Sequence, residues 1–300
     1  MDILDILALE GIEPKEVAII LHTPNIPKLA KVLPLLVVER PEIYAAYQSV
    51  HSDGEGATLK HRKLALTFVN VGAGRMLFAG LFNINGWSDW PLDKIDNDPN
   101  FRALVEDFGD GWASDYARDK GETHRLVFDM EPDDRLSQYR GKLVVGKPIG
   151  RRLIRKAENL QAQILALHEE SALISAPPDW KGMIIGAPEI RAMPPSWAAR
   201  LREWRGVYLI VDESDGARYV GSAYGDFGFL SRWKAHLNGK EIEGRERGIT
   251  VELRKRSPSN FRFSILQVFA PDASDKEIIQ VENNWMDRLH TRVHGLNHGT

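Results

Sequence analysis

The chain has 300 residues, of which 43% are hydrophobic and 27% are charged, and its formal net charge at pH 7 is −3. This length can support two hydrophobic cores, and no apolar run is long enough to cross a membrane. The absence of cysteine excludes disulfides, thiolate zinc sites and a cysteine nucleophile. The acidic start, MDILDILALEGIEP, lacks the basic region that begins a signal peptide, so we expect a cytoplasmic protein.

The first 173 residues are predicted to form an α+β domain with a recognition or regulatory role, built on a small curved sheet or partial barrel with helices. Short helices come first, and residues 64–86 then give two strands around a turn at residues 72–74. The GAGRM segment closes this hairpin and opens no helix, so it is not a phosphate-binding loop. Further strands are predicted at 124–130 and 141–148, and the apolar spacing within 150–171 predicts a final helix.

Two tryptophans, Trp87 and Trp90, lie in a predicted loop that contains glycine and proline and follows this hairpin. They are either part of the core or an aromatic platform on which a DNA base stacks. In the second case Asn85 and Asp89 are near enough in sequence to contact the edge of that base.

The segment from Arg135 to Lys156 contains eight basic residues and no acidic residue. It either forms an ordinary solvated surface or attracts a polyanion in spite of the negative net charge of the chain. In the second interpretation Arg151, Arg152, Arg155 and Lys156 contact DNA phosphates.

Residues 174–203 are predicted to be a proline-rich linker, because two Pro-Pro pairs in this segment oppose both helix and sheet. The remaining residues, 204–300, are predicted to form a small antiparallel sheet flanked by helices. In chain order the predicted elements are strands at 206–212 and 217–223 joined by a tight Asp-Gly turn, a helix at 228–239 ending at Gly239, a strand at 261–270, and a helix at 273–295 that begins with a capping box of Ser274 and Glu277.

Two tyrosines mark the predicted hairpin of this second domain. Because side chains alternate along a strand, Tyr208 and Tyr219 fall on one face, where their rings can lie side by side. Each has a glycine nearby, Gly206 or Gly221, and we expect these glycines to leave the backbone open to the approach of another chain.

Glu282 is the most informative residue, because it falls within the apolar stripe of the last predicted helix. A buried carboxylate needs a cation or strong hydrogen-bond donors. Arg232, which shares a helix face with His236, is one candidate partner, and a divalent metal ion is the other.

Taken together, these residues resemble the GIY-YIG nuclease superfamily over residues 204–297. The matching positions are Gly206-Val207-Tyr208 and Tyr219-Val220-Gly221, each with valine in place of isoleucine, followed by Arg232, Glu282 and Asn297. The ending ENNWMDRLHTRVHGLN is also similar to a bacterial subgroup in which such a domain follows an uncharacterised N-terminal domain. The resemblance implies metal-dependent hydrolysis of DNA phosphodiester bonds.

The resemblance also implies a role for each matched residue. Glu282 would hold one Mg²⁺ or Mn²⁺ ion, Arg232 would neutralise charge on the phosphate, and Tyr219 would orient or deprotonate the attacking water. His236 would take or relay the proton, with Tyr208 completing the hydrogen-bond network. Asn297 is the sixth member of this implied catalytic set.

The sequence therefore predicts a two-domain DNA endonuclease, which acts either in restriction and defence against foreign DNA or in repair and structure-specific nicking. A homodimer is one way in which it would cut both strands. The alternative is a non-catalytic nucleic-acid-binding protein with a degenerate nuclease fold. A zinc site at His290 and His294 is a minor alternative, although it lacks a third ligand. The segment around Asp226 is either a loop that contacts DNA or merely a longer connection.

Overall fold

The computed structural model of the chain describes residues 2–173, 179–225, 228–238, 255–270 and 272–297. These residues divide into two compact units, Met1–Ser175 and Ala176–Thr300. In the part of the chain described, no helix is both long enough and apolar enough to cross a membrane.

The first unit combines short helices with one mixed sheet. Its helices are α1 (Ile3–Leu9), α2 (Pro27–Glu39), α3 (Pro41–Ser49), α4 (Asp53–Leu59), α5 (Leu92–Asn97), α6 (Pro99–Phe108) and α7 (Asp115–Asp119). Its strands are β1 (Val17–His22), β2 (Val50–His51), β3 (Leu64–Asn70), β4 (Arg75–Pro91), β5 (His124–Asp133), β6 (Leu143–Gly146), β7 (Ile154–Lys156) and β8 (Ile164–Leu167).

The sheet of this unit has the order β2-β5-β4-β3-β1-β7, with β6 pairing with both β4 and β8. Strands β1 and β3 are parallel and contain only a few polar residues, as expected for strands covered on both faces. The long strand β4 pairs with β6 at its start and with β5 from Leu81 to Pro91, and a bulge between Ile84 and Gly86 interrupts the second pairing; such bulges bend a sheet. The predicted α+β class, with a curled sheet in the first domain, is confirmed.

Two local predictions in this unit are wrong. The helix predicted at 150–171 is instead β7, a short 3-10 turn and β8, because β7 pairs with the free side of β1 and that pairing outweighs the helical spacing. Leu153 and Leu167, which belonged to the predicted apolar stripe, are exposed. The predicted tryptophan loop is the second half of β4, where Gly86 lies at the bulge and Pro91 ends the strand.

The second unit contains a four-stranded antiparallel sheet of order β11-β10-β12-β9. Its strands are β9 (Ile184–Gly186), β10 (Arg205–Asp212), β11 (Arg218–Ala223) and β12 (Phe261–Phe269). Its helices are α8 (Ala187–Arg191), α9 (Pro195–Glu203), α10 (Gly228–Asn238), α11 (Asp275–Arg288) and α12 (Thr291–His294).

Residues 179–203, predicted as part of a linker, belong to the folded second unit. Strand β9 pairs with β12, and Trp197 and Leu201 of α9 are buried in the core. Pro188 and Pro195 lie in the first turns of α8 and α9, where a missing backbone N–H does no harm to the helix. The prolines therefore begin helices here and do not mark a linker.

The long helix predicted at 273–295 is broken near its end. Ser274 caps its start by accepting a hydrogen bond from the Glu277 backbone N–H, as expected. The helix ends at Arg288, and His290 adopts a left-handed conformation (φ 53°) before the short helix α12. His290 and His294 therefore do not lie on the long helix predicted for them, and His290 is instead the N-cap of α12.

Candidate active site

The hairpin of β10 and β11 positions the two tyrosines. Tyr208 lies opposite Gly221 and Tyr219 lies opposite Ile210, so the two tyrosines are diagonal neighbours on one face of the sheet. Their ring centroids are 6.2 Å apart in an edge-to-face arrangement. The predicted contact between the rings is present, but it is diagonal and not directly across the strands.

The two glycines have a different use from the expected one. A Cβ atom on Gly221 would lie 2.5 Å from Tyr208 Oη and 2.7 Å from Tyr219 Cε1, so this glycine makes room for the two rings. A Cβ atom on Gly206 would overlap the backbone carbonyl of Gln267 on the paired strand β12. Side chains and backbone of the protein itself occupy the space that we expected DNA to use.

His236 of α10 completes a group of three aromatic rings. Its centroid is 5.8 Å from that of Tyr208 and 5.3 Å from that of Tyr219. Its Nε2 atom lies 2.7 Å from Tyr208 Oη. Helix α10 brings His236 to this position because Leu230, Trp233 and Leu237 bury the same side of the helix.

The burial of these rings sets their protonation states. Burial, with a smaller contribution from the Arg232 charge, lowers the pKa of His236 to about 3. Burial likewise raises the pKa of Tyr208 well above its usual value of 10. Tyr208 therefore keeps its proton, and the hydrogen bond joins a neutral phenol to a neutral imidazole. The low pKa of His236 makes it a weak proton acceptor.

Glu282 of α11 is buried, as its place in the apolar stripe predicts, with only 6% of its surface exposed. Its Oε2 atom accepts a hydrogen bond of 2.7 Å from the Ser222 hydroxyl of β11. No sequence motif indicated Ser222. Strand alternation alone could have done so, because Ser222 follows Val220 by two residues and Val220 faces the same helix.

The sheet separates the site into two layers. Tyr208, Tyr219 and His236 lie on the α10 face, whereas Ser222 and Glu282 lie on the face that packs against α11. The layers still interact electrostatically, because the Glu282 charge helps to raise the pKa of Tyr208 and the Arg232 charge opposes it.

Arg232 reaches the end of β11 from the first layer. Its guanidinium carbon lies 5.5 Å from the centre of the Tyr224 ring, and Tyr224 packs with the second layer. Residues 222 and 224 follow each other on one side of the chain at the end of β11. A guanidinium and a carboxylate thus approach the same short stretch of strand from different helices.

Asn297 has a clear positional role. Its Oδ1 accepts from the Val220 backbone N–H at 2.9 Å, and its Nδ2 donates to the Val220 carbonyl at 2.8 Å. These bonds are made on the outer side of β11, which is an edge strand. Asn297 therefore holds in place the strand that carries Tyr219.

The fit of Glu282 to a divalent metal can be judged from its donors. Among the residues described, Glu282 belongs to no group of three or more histidine or acidic side chains of metal-binding size. One carboxylate is nevertheless compatible with Mg²⁺, which keeps most of its waters and is often completed by substrate phosphates. His290 and His294 are both exposed and also belong to no such group among these residues. Asp226 and Gly239 lie outside the described residues.

The residues predicted to bind DNA in the first unit are at its surface. Arg151, Arg152 and Lys156 are exposed. Arg155 is half-buried, and its guanidinium donates to the carbonyls of Arg152 and Gly150, so it also braces the loop that carries the other arginines.

Trp87 and Trp90 are not core residues. Trp87 is 44% exposed, and the Lys60 ammonium lies 4.0 Å from the centre of its ring. Trp90 is half-buried beside Phe101, with Lys94 over its ring at 3.7 Å. The interpretation of a core plug is therefore wrong, and base stacking stays a prediction.

No protein-family model and no curated protein matches the chain. Two solved structures are similar to part of it, the catalytic domain of intron endonuclease I-TevI in a mutant form and the catalytic domain of homing endonuclease I-TevI. Each is 26% identical to this chain, with a TM-score of 0.25. The matches cover 31% and 32% of this chain, and 92% and 99% of the respective solved chains. At this TM-score neither structure supports a conclusion about this chain, so the function proposed below rests on the site itself.

Proposed function

We propose that the second unit is a DNA endonuclease that hydrolyses phosphodiester bonds at the end of β11. The observation that carries this proposal is the approach of Arg232 and Glu282 to the same end of that strand, beside the ring cluster of Tyr208, Tyr219 and His236. A cation and an anion placed next to phenols are suited to hold a phosphate and to position a water molecule against it.

Arg232 is the residue that would bind the phosphate. A guanidinium donates two parallel hydrogen bonds to phosphate oxygens and neutralises the charge that grows on them during displacement. Its packing near Tyr224 limits the positions that this long side chain can take. The attacking water gives up a proton to solvent as its oxygen bonds to phosphorus, while the bond from phosphorus to the leaving sugar oxygen breaks and that oxygen takes up a proton.

Tyr219 would orient the attacking water, and the other two rings would hold Tyr219. Gly221 allows the rings of Tyr208 and Tyr219 to approach each other, and the hydrogen bond between Tyr208 and His236 fixes the other side of the cluster. Because the pKa of His236 is lowered to about 3, we assign it a positioning role and not that of general base.

Glu282 would hold the divalent metal ion, Mg²⁺ or Mn²⁺, with Ser222 orienting its carboxylate. When bound, such an ion supplies positive charge beside the phosphate and makes a coordinated water more acidic. We further propose that the first unit binds DNA through Arg151 and Arg152.

Glu282→Gln tests this function. The amide oxygen of glutamine can still accept the Ser222 hydrogen bond, so folding and metal-free DNA binding should stay close to wild type. Nicking of supercoiled plasmid in Mg²⁺ should fall to background. Glu277→Gln is the matched control, because Glu277 is exposed on the same helix. Full cleavage by Glu282→Gln would refute the metal assignment.

Restriction of foreign DNA and structure-specific nicking in repair would use this same chemistry, so they are separated by substrate. We propose restriction as the role to test first, with matched modified and unmodified plasmids. A difference between these plasmids supports restriction, whereas preferential cutting of branched duplexes supports repair. Blunt or staggered double-strand ends, with a rate that rises as the square of protein concentration, would indicate two cooperating copies.

A further inference from the structure

The first unit contains a cavity of about 320 Å³ that the proposed nuclease chemistry does not use. This volume lies in the range of pockets that hold small organic ligands. Four aromatic side chains contribute to its walls, namely Tyr47, Phe101, Trp112 and Tyr116. Flat aromatic walls favour a flat aromatic ligand, because stacked rings gain both contact area and favourable electrostatics.

The walls of this cavity are held by neighbouring groups. The Arg125 guanidinium lies 4.7 Å from the centre of the Trp112 ring and pairs with Glu122, and its Nη2 is 3.5 Å from the Trp112 carbonyl. His22 packs against Tyr47 with ring centroids 5.2 Å apart. A binding site with walls fixed in advance loses less entropy when a ligand enters.

The polar groups of the cavity are neutral or acidic. Burial lowers the pKa of His22 to about 3 and that of His51 to about 4, so both imidazoles are uncharged at neutral pH. His22 Nε2 has no hydrogen-bond partner among the described residues. Asp110 and Glu55 also line the cavity, and burial raises the pKa of Asp110.

This set of groups narrows the class of ligand. Within the described part of the chain, no lysine or arginine lines the cavity, so it is unsuited to a phosphate or another anion. Carboxylates accept hydrogen bonds from exocyclic amino groups such as those of cytosine and adenine. Neutral imidazoles can donate to or accept from ring nitrogens, according to their tautomer.

The surroundings of the cavity favour a ligand that carries a phosphate outside it. Leu153 and Ile154 are part of the lining, and they follow directly after the exposed Arg151 and Arg152. These arginines would repel an organic cation, which aromatic walls and carboxylates could otherwise accept. They would attract the phosphate of a nucleotide whose base is inside.

From these observations we propose that the cavity binds a nucleobase with an exocyclic amino group, with the attached phosphate on Arg151 and Arg152. The base comes either from a free nucleoside or nucleotide or from a DNA strand from which it has been rotated out. Extrusion from DNA requires less energy at a mismatch, where stacking and pairing are already weakened. This site is independent of the nuclease site and does not require that the nuclease proposal is correct.

The test uses the full chain with EDTA, so that binding is measured without cleavage. Anisotropy compares a paired duplex with one that has a central mismatched adenine or cytosine, and calorimetry measures deoxyadenosine, deoxycytidine and thymidine monophosphates. Ala113→Trp fills the cavity from its lining, and Ala8→Trp is the matched control at an exposed position of α1.

We expect wild type and Ala8→Trp to bind the mismatched duplex about tenfold more tightly than the paired one, and Ala113→Trp to lose this preference. If wild type binds the monophosphates, Ala113→Trp does not, and no variant prefers the mismatched duplex, the site is assigned to free nucleotides. Equal binding of every ligand by wild type and Ala113→Trp would overturn the proposal.

A second variant keeps the proposal testable if Ala113→Trp does not fold. Tyr116 is exposed over 47% of its surface, so Tyr116→Ala should leave the fold intact. Loss of one stacking partner should weaken base binding by about tenfold, and Tyr116→Phe should restore it. Unchanged affinity for both the mismatched duplex and the monophosphates in Tyr116→Ala would contradict base binding in this cavity.

Discussion

Asn297 gives the sharpest test of how the second unit is held together. Asn297→Ala removes both hydrogen bonds to the backbone of Val220. These backbone groups lie at the outer edge of β11, and Val220 is fully buried. Each unsatisfied buried backbone group costs about 1–3 kcal/mol. Water can partly replace the side chain at a sheet edge, so we expect a loss of about 2–4 kcal/mol in the free energy of unfolding of this unit.

The loss should be seen in two measurements. Denaturant unfolding gives the change in free energy, and hydrogen exchange reports directly on the Val220 amide, which should lose its protection. Asn284→Ala, at an exposed position of α11, is the control for replacing an asparagine in the same unit. If Asn297→Ala unfolds within about 0.5 kcal/mol of this control, the clamp does not stabilise β11 and the reasoning is refuted.

Asn297→Asp adds a chemical check. The ionised carboxylate can still accept from the Val220 N–H, but it faces the Val220 carbonyl without a donor. A protonated carboxyl group would supply that donor, so the pKa of this aspartic acid should be raised in the folded state. The stability advantage of Asn297→Asp over Asn297→Ala should therefore be greatest at low pH, and it should be lost as the pH rises through the pKa of this aspartic acid in the folded state.

The remaining predictions concern catalysis, DNA binding and pH. Arg232→Ala should lower the cleavage rate by roughly 10³-fold, and a near-wild-type rate for Arg232→Lys would exclude a bidentate guanidinium contact. Replacing Arg151 and Arg152 with alanine should reduce the slope of log affinity against log salt by about 0.9 for each DNA phosphate that the variant no longer binds. The sequence preference should stay unchanged. An unchanged slope would show that these arginines do not contact DNA phosphates. His22 and His236 have lowered pKa values in the folded state, so their contribution to stability is present above pH 6.5 and is lost as the pH falls towards 3, by about 1.4 kcal/mol per pH unit for each histidine. Unfolding measured between pH 7 and 5 should show this slope, and His22→Gln should reduce it in the first unit to the part that His51, whose pKa is lowered to about 4, still contributes.

The sequence was most informative where local pattern and tertiary structure agree. The alternation of β10 and β11 predicted that Tyr208 and Tyr219 would share one face of the hairpin. Glu282 could be recognised because an acid in an apolar helical stripe contradicts its surroundings. These features depend on neighbours within a few residues, which a periodic pattern records.

Other features depend on partners that are distant in sequence. The segment 150–171 has helical spacing, but β1 offered an unpaired side to which β7 could bind. The prolines near 188 and 195 suggested a linker, although proline is equally suited to the first turn of a helix. The cavity of the first unit has walls from several helices and strands, so no short motif indicated it.

The edges of the second sheet have a consequence for association between copies of the chain. One edge is β9, which is only three residues long. At the other edge, Asn297 occupies the backbone groups of Val220, and the Leu296 N–H donates to the Arg218 carbonyl. Short or covered edges leave little backbone for an incoming strand to pair with. Two copies that cooperate in cutting a duplex would therefore have to meet through side-chain surfaces and not by joining their sheets into one.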